Sequence, residues 1–362
     1  MLPVRLLMTA DAVGGVWQYA LDLAGALAPL GIETVLALLG PPPDDRQRVA
    51  ACAVAGLRLV ETGLPLDWLA ADEAQVQSAA AAIAQLAERE AVDLVQLNQP
   101  ALAATPMPRP AVAVVHSCVA TWWAAAGHGP LPERFAWQTA LVRAGLARAD
   151  AIVCPSRAFA ERVRETYRLA ASPHVVHNGP RVRPAGIDTP AAFALTAGRL
   201  WDEGKGVAVL DRAAARIGLR FEAAGATTSP AGDMIRLAHL HPLGHLDHDA
   251  LASRLALRPV FASAARYEPF GLAVMEAAQA GCALVLADNP TFHELWDGVA
   301  AFVDPADDQG FAEAIAALVD DPRLRLARGE LARRRAARFT PEAMAAGMAA
   351  FYRAMLVERA AA

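Results

Sequence analysis

The stretch VRLLMTADAVGGVWQYALDLAGALAPLGIETVLALLG, residues 4–40, decides the architecture. Residues 4–10 form a short apolar run that ends at a glycine-containing turn, 11–15, and read as a buried parallel strand. Val16, Tyr19, Ala20, Leu23 and Leu27 then fall at helical spacing, and residues 33–40 are a second apolar run. Strand, helix and strand in this order make a β-α-β unit, which implies a parallel sheet with a right-handed crossover. The pattern continues outward. Strands are predicted at 92–98, 111–117 and 151–156, with helices around 72–90, 133–149 and 157–169. In open α/β sheets ligands gather at the C-terminal ends of strands, so Asn98, His116, Ser117 and Ser156 stand where a site is expected.

The segment HNGPRVRPAGIDTP, 177–190, is rich in Pro and Gly and reads as an interdomain linker. A second alternating series follows. Strands are predicted at 193–200, 220–226, 258–263 and 282–288, and helices at 206–217, 247–256, 271–280 and 307–319. The expected division is residues 1–178, residues 190–340 and a C-terminal helix within 341–362 carrying Phe351 and Tyr352.

Bulk properties agree with a two-domain α/β protein. The 362 residues correspond to about two domains of roughly 150 each. Net charge is −5, with 33 Lys plus Arg against 38 Asp plus Glu, so no basic excess marks a nucleic-acid binder. The four cysteines, Cys52, Cys118, Cys154 and Cys282, are scattered without a C-x-x-C pair. That argues against a disulfide framework or a zinc knuckle and fits a reducing cytosol. Neither a secretory h-region nor a membrane-spanning run is evident, so a cytoplasmic protein is expected. One detail is sharper: of 33 basic residues only Lys205 is lysine. Either coding bias toward Arg left one Lys by chance, or position 205 needs a compact ammonium.

Three motifs carry chemistry. Gly14 and Gly15 lie between a strand and a helix, where they serve either a tight turn or the close approach of a phosphate. They are not part of a G-x-G-x-x-G run, which disfavours a nicotinamide cofactor. Gly198-Arg199 ends a strand and Lys205-Gly206 opens a helix, so a guanidinium fork and a point charge converge on one loop suited to a diphosphate. The third is RYEPFGLAVMEAAQAGCALVLAD, 266–288. Here Glu268 and Glu276 are separated by seven residues, and the amides of Phe270, Gly271 and Leu272 lie at the helix start. Small apolar neighbours make a solvated role for Glu276 a poor fit.

In this order, Gly14-Gly15, His116, Asn178-Gly179, Gly198-Arg199-Leu200 with Lys205-Gly206, and Glu268 with Glu276 resemble the GT-B glycosyltransferases, specifically glycosyltransferase family 4. The resemblance covers almost the whole chain. It implies two Rossmann-like domains facing across a deep cleft, with the C-terminal helix crossing back onto the N-domain. It implies that Arg199 and Lys205 hold the donor pyrophosphate and that Glu276 accepts from the ribose hydroxyls. Glu268 contacts the donor sugar beside the amides of Phe270, Gly271 and Leu272, and His116 lies at the sugar near the reacting carbon. Gly14 and Gly15 approach the phosphates, and the base lies near Gly244, His245 and Leu246. Trp122 and Trp123 either stack on a sugar acceptor or belong to the core.

The activity so implied is retaining transfer of a hexose from a UDP- or GDP-sugar to an acceptor hydroxyl. Asp307-Asp308 read as a helix start, and metal-independent catalysis without a cofactor is expected. The alternatives are a nucleotide-sugar epimerase or phosphorylase on the same fold, and a non-catalytic sugar-nucleotide sensor. No basic amphipathic helix marks a membrane surface, and oligomeric state is left open.

Overall fold

The computed structural model describes residues 4–127, 129–181, 190–229 and 232–361. Residues 182–189, most of the predicted linker, lie outside the described residues. The chain divides into two compact units, Met1–Arg181 with Phe339–Ala362, and Val182–Arg338.

The first unit is built on seven strands: β1 (Val4–Asp11), β2 (Ile32–Leu39), β3 (Leu57–Glu61), β4 (Leu94–Leu97), β5 (Ala111–Val114), β6 (Ala151–Cys154) and β7 (His174–Val175). They lie in the order β3-β2-β1-β4-β5-β6-β7, and every pairing is parallel. β1 and β2 run in register from Val4 opposite Ile32 to Asp11 opposite Leu39. The order reverses between β1 and β4, so their C-terminal ends open the crevice where an α/β sheet takes ligands. Leu6, Leu7 and Met8 are fully buried although successive side chains point to opposite faces. A strand covered on both faces therefore reads as a continuous apolar run.

The C-terminal helix, Pro341–Ala361, belongs to this unit. Met344, Ala345, Met348, Ala349 and Tyr352 form one helical stripe and enter the core that contains Leu23 and Leu27 of the Gly15–Leu27 helix. Burying each of the larger side chains contributes about 1.5–3 kcal/mol, enough to fix the helix by this stripe alone.

The second unit has six parallel strands: β8 (Ala194–Ala197), β9 (Phe221–Ala224), β10 (His241–Gly244), β11 (Val260–Ser263), β12 (Ala283–Ala287) and β13 (Ala301–Val303). Their order is β10-β9-β8-β11-β12-β13, with the reversal between β8 and β11. Both units are thus Rossmann-like α/β sheets. Four strands are not predicted, β3, β7, β10 and β13, and all four are sheet edges. An edge strand is only half covered, as the partly exposed β3 (LRLVE) shows, so its sequence lacks a continuous run. Among the described residues no helix is long and apolar enough to cross a membrane.

Candidate functional site

In the second unit the predicted residues gather at the β8/β11 reversal. Gly198 and Arg199 leave the end of β8, and Lys205 closes a single 3-10 turn, Glu203–Lys205, before the Val207–Ala214 helix. Asp202 builds this loop. It is buried, its carboxylate accepts from Gly204 N–H at 2.9 Å, and it pairs with Arg199 Nη2 at 3.0 Å. Arg199 also lies over the Trp201 ring, 5.5 Å from its centroid.

The loop is locked onto the chain that follows β11. The Gly204 carbonyl accepts from the amides of Arg266 and Tyr267 at 2.9 and 3.2 Å. Gly206 has φ +65°, and a Cβ there would stand 2.2 Å from the Ala264 carbonyl oxygen, so only glycine allows the approach. Asn289 donates to the Ala265 carbonyl at 2.9 Å while its side-chain oxygen caps the Pro290–Trp296 helix at Phe292. This frame brings Lys205 Nζ to 2.6 Å from Glu268 Oε2, with 21% and 13% of the two side chains exposed. Gly271, at φ +90°, caps the Leu272–Gln279 helix, which carries the half-buried Glu276. The first-turn amides of that helix have no intrahelical acceptor. Arg199, Lys205, Glu268, Phe270, Gly271, Leu272 and Glu276 therefore belong to two adjoining loops and one helix.

Gly244, His245 and Leu246 lie at the end of the edge strand β10, and the Gly244 carbonyl accepts from Gly225 N–H at 2.8 Å. Asp211 anchors the approach to this edge. Its carboxylate accepts from the amides of Ala238, His239 and Leu240. Burial alone would raise its pKa, but those three amides together hold it below the ordinary range.

In the first unit, His116 follows β5 and is half-buried. Its Nε2 lies 3.1 Å from Asn98 Oδ1, and Tyr19 meets the ring edge-on with centroids 4.4 Å apart. Burial holds the imidazole pKa down at about 4, so the ring is neutral at pH 7. The Gly14 N–H donates to Asp11 Oδ1 at 3.0 Å, as does Val13 N–H at 2.9 Å. The Gly14 amide is thus used within the turn, and Gly15 is the first residue of the helix.

Trp122 and Trp123 lie on the Val119–Ala126 helix with ring centroids 5.9 Å apart. Trp123 donates its indole N–H to the carbonyls of Gly129 and Pro130 and packs against Phe135, which ties it to the following turn. Ser156 is buried and caps the Arg157–Tyr167 helix through Phe159 N–H. Asp307 caps the Asp308–Asp320 helix, and Asp308 pairs with Arg212 and Arg216. Among the described residues no group of three His, Cys, Asp or Glu side chains is placed to hold a metal ion. Asp202, Tyr19 and Gln96 escape sequence reading. Of these, Asp202 left a trace, an Asp placed to cap a turn between the two cations.

Two Rossmann-like units, one with an Arg and Lys loop at its strand reversal, define the GT-B class of group-transfer proteins. The first unit matches the family model Glycosyltransferase Family 4 over residues 13–181, and the second matches Glycosyl transferases group 1 over residues 183–335. The chain belongs to this glycosyltransferase family. It is 36% identical to the glycogen synthase of Mycobacterium tuberculosis (strain ATCC 25618 / H37Rv) over 97 residues, 26% of this chain. That match takes in 23% of the relative's own length. Among solved structures, the sucrose-phosphate synthase of Thermosynechococcus elongatus is similar at TM-score 0.80 and 19% identity, covering 98% of this chain and 100% of the other. Anabaena HepE in complex with UDP-glucose is similar at TM-score 0.73 and 19% identity, covering 97% and 99%. These likenesses show the fold.

Proposed function

We propose that the protein transfers a hexose from a nucleotide-diphosphate sugar to an acceptor hydroxyl, with retention of anomeric configuration and without a metal ion. The observation that carries this reading is the cationic loop at the β8/β11 reversal. The only lysine of the chain reaches Glu268 at 2.6 Å, six residues after Arg199. In the reaction the bond from the anomeric carbon to the diphosphate oxygen breaks, and the acceptor oxygen bonds to that carbon on the same face. The acceptor proton passes to the departing diphosphate. Negative charge grows on the leaving group, so Arg199 and Lys205 stabilise the transition state more than the ground state.

Glu276 is assigned to the ribose hydroxyls, and Glu268, with the amides of Phe270, Gly271 and Leu272, to the donor sugar. Gly244, His245 and Leu246 are assigned to the base, and the Gly15 amide to the phosphates. His116 is assigned to the sugar at the reacting carbon; as a neutral ring it offers a hydrogen-bonding atom without adding charge there. Trp122 and Trp123, on one helix with their rings 5.9 Å apart, are assigned to the acceptor side. The likeness to a structure holding UDP-glucose favours a UDP-sugar as the first donor to try.

Thermal shift against UDP-, GDP- and ADP-sugars identifies the donor. NMR of the product formed in excess EDTA then tests the mechanism. An inverted anomer removes retention. Turnover lost in EDTA and restored by a divalent ion removes metal independence.

A further inference from the structure

We infer that Asn98 is a positioning residue for His116: it fixes the imidazole as the Nε2–H tautomer and leaves Nδ1 as a lone-pair acceptor for a substrate hydroxyl. The inference rests on the assignment of His116 to the reacting sugar.

The order of protons follows from one peptide carbonyl. The Asn98 side-chain nitrogen lies 2.7 Å from the Thr9 carbonyl oxygen. A carbonyl only accepts, so this end of the amide is the NH2 and the other end is the oxygen. Asn98 N–H also donates to Thr9 Oγ1 at 2.9 Å, which pins the end of β4 to the end of β1. The amide oxygen so oriented stands 3.1 Å from His116 Nε2. That oxygen also only accepts, so Nε2 must carry the proton. In a neutral ring Nδ1 then holds the lone pair. A half-turn of the ring would put Cε1 in place of Nε2 and lose the bond, and the Tyr19 ring packed at 4.4 Å restricts that turn.

The same oxygen accepts from Gln96 Nε2 at 3.0 Å. Gln96 Nε2 also donates to the Tyr19 hydroxyl at 3.2 Å, and Gln96 Oε1 accepts from the Tyr352 hydroxyl on the C-terminal helix. Gln96, Asn98, Tyr19 and Tyr352 are all buried. Water does not replace a lost partner there, so the chain of bonds specifies one arrangement of donors and acceptors. It runs from the C-terminal helix to the imidazole, and each Gln96 and Asn98 amide has only one orientation that satisfies it.

The test is 15N NMR of the imidazoles in the full chain at pH 7, with His116 assigned by the signals that vanish in His116→Gln. The expected spectrum shows Nε2 protonated and Nδ1 bare. In Asn98→Leu the ring should populate both tautomers, and kcat should fall about tenfold, the worth of one buried hydrogen bond, while donor KM changes little. A wild-type ring protonated at Nδ1, or at both nitrogens, overturns the proposal whatever the variant does. So does a folded Asn98→Leu protein that keeps the Nε2–H tautomer and full kcat. If wild type turns over no sugar nucleotide, the transferase reading fails on its own, and the tautomer still stands or falls by the spectrum.

Discussion

Replacing Lys205 by arginine keeps the charge and removes the ammonium, which separates two roles of this residue. The structure places Nζ 2.6 Å from Glu268 Oε2, with Glu268 only 13% exposed. Lys205→Ala therefore leaves a mostly buried carboxylate without its counter-charge. Breaking a fully buried pair costs about 3–5 kcal/mol; with Lys205 still 21% exposed, about 1–3 kcal/mol is expected here. For a unit of this size that is roughly 2–12 °C in Tm. Lys205→Arg retains the counter-charge, so its Tm should stay close to wild type. Turnover should behave differently. A guanidinium fork pairs two-to-two with a carboxylate, which on the proposed assignment draws Glu268 from the donor sugar and crowds the diphosphate oxygens assigned to Arg199. Losing one charge-assisted contact to the leaving group costs about 2–4 kcal/mol of transition-state stabilisation. That is roughly 30- to 1000-fold in kcat/KM, for arginine nearly as much as for alanine. The assay is release of nucleoside diphosphate, with circular dichroism melts alongside. Lys205→Ala combined with Glu268→Gln should regain Tm without regaining turnover. If Lys205→Arg keeps more than about half the activity, charge alone suffices and the requirement for an ammonium is wrong.

Three further outcomes are expected. Gly206→Ala should cost more than about 2 kcal/mol, because it adds left-handed strain to a Cβ only 2.2 Å from the Ala264 carbonyl; a melt within 1–2 °C of wild type would refute the tight loop, at the conversion of about 2–4 °C per kcal/mol. His116 has a folded pKa of about 4 against 6.5 when free, so the stability of its neutral ring is complete above about pH 6.5 and lost as pH falls through 4. His116→Gln should flatten the dependence of the urea midpoint on pH in that window, and an unchanged slope would place the ring in water. Asp211 has a depressed folded pKa, so its contribution is present above the unfolded value near 3.9 and disappears below it. Asp211→Asn should lower stability at pH 7 and lose less on acidification to pH 3, again by urea midpoint.

The parts legible in the sequence are those whose cause is local. A buried parallel strand needs apolar side chains on both faces, and that requirement shows as a run in β1, β2, β4, β5, β6, β11 and β12. At the edges the requirement lapses: β3, β7 and β10 carry no such run, and β13 has only the short stretch 299–303. β3 still left a weak mark, because Leu57 and Leu59 alternate inward while Arg58 points out. The helix at Asp45–Cys52 is not predicted: its faces are too polar to announce it, and only the Asp44 and Gln47 capping box marks its start.

The site divides along the same line. Arg199 and Lys205 share one loop, and composition alone singles out the lysine. Glu268, in contrast, is 63 residues from the ammonium it pairs with, and no spacing rule connects them. What joins them is the strand order, which sets β11 beside β8 and so brings the two loops together. The His116 network is the extreme case. Asn98 stands at a strand end and is visible as a candidate, yet what fixes its amide is a carbonyl 89 residues earlier. The hydroxyl that orients Gln96 comes from Tyr352, 256 residues later. In sequence Gln96 is a polar residue within an apolar strand, which counts against burial. The strand tolerates it because each end of the amide is hydrogen-bonded, the nitrogen to Tyr19 and Asn98 and the oxygen to Tyr352. A polar residue in a run otherwise dictated by burial therefore marks where tertiary structure supplies its partners, and here those partners lead to the imidazole.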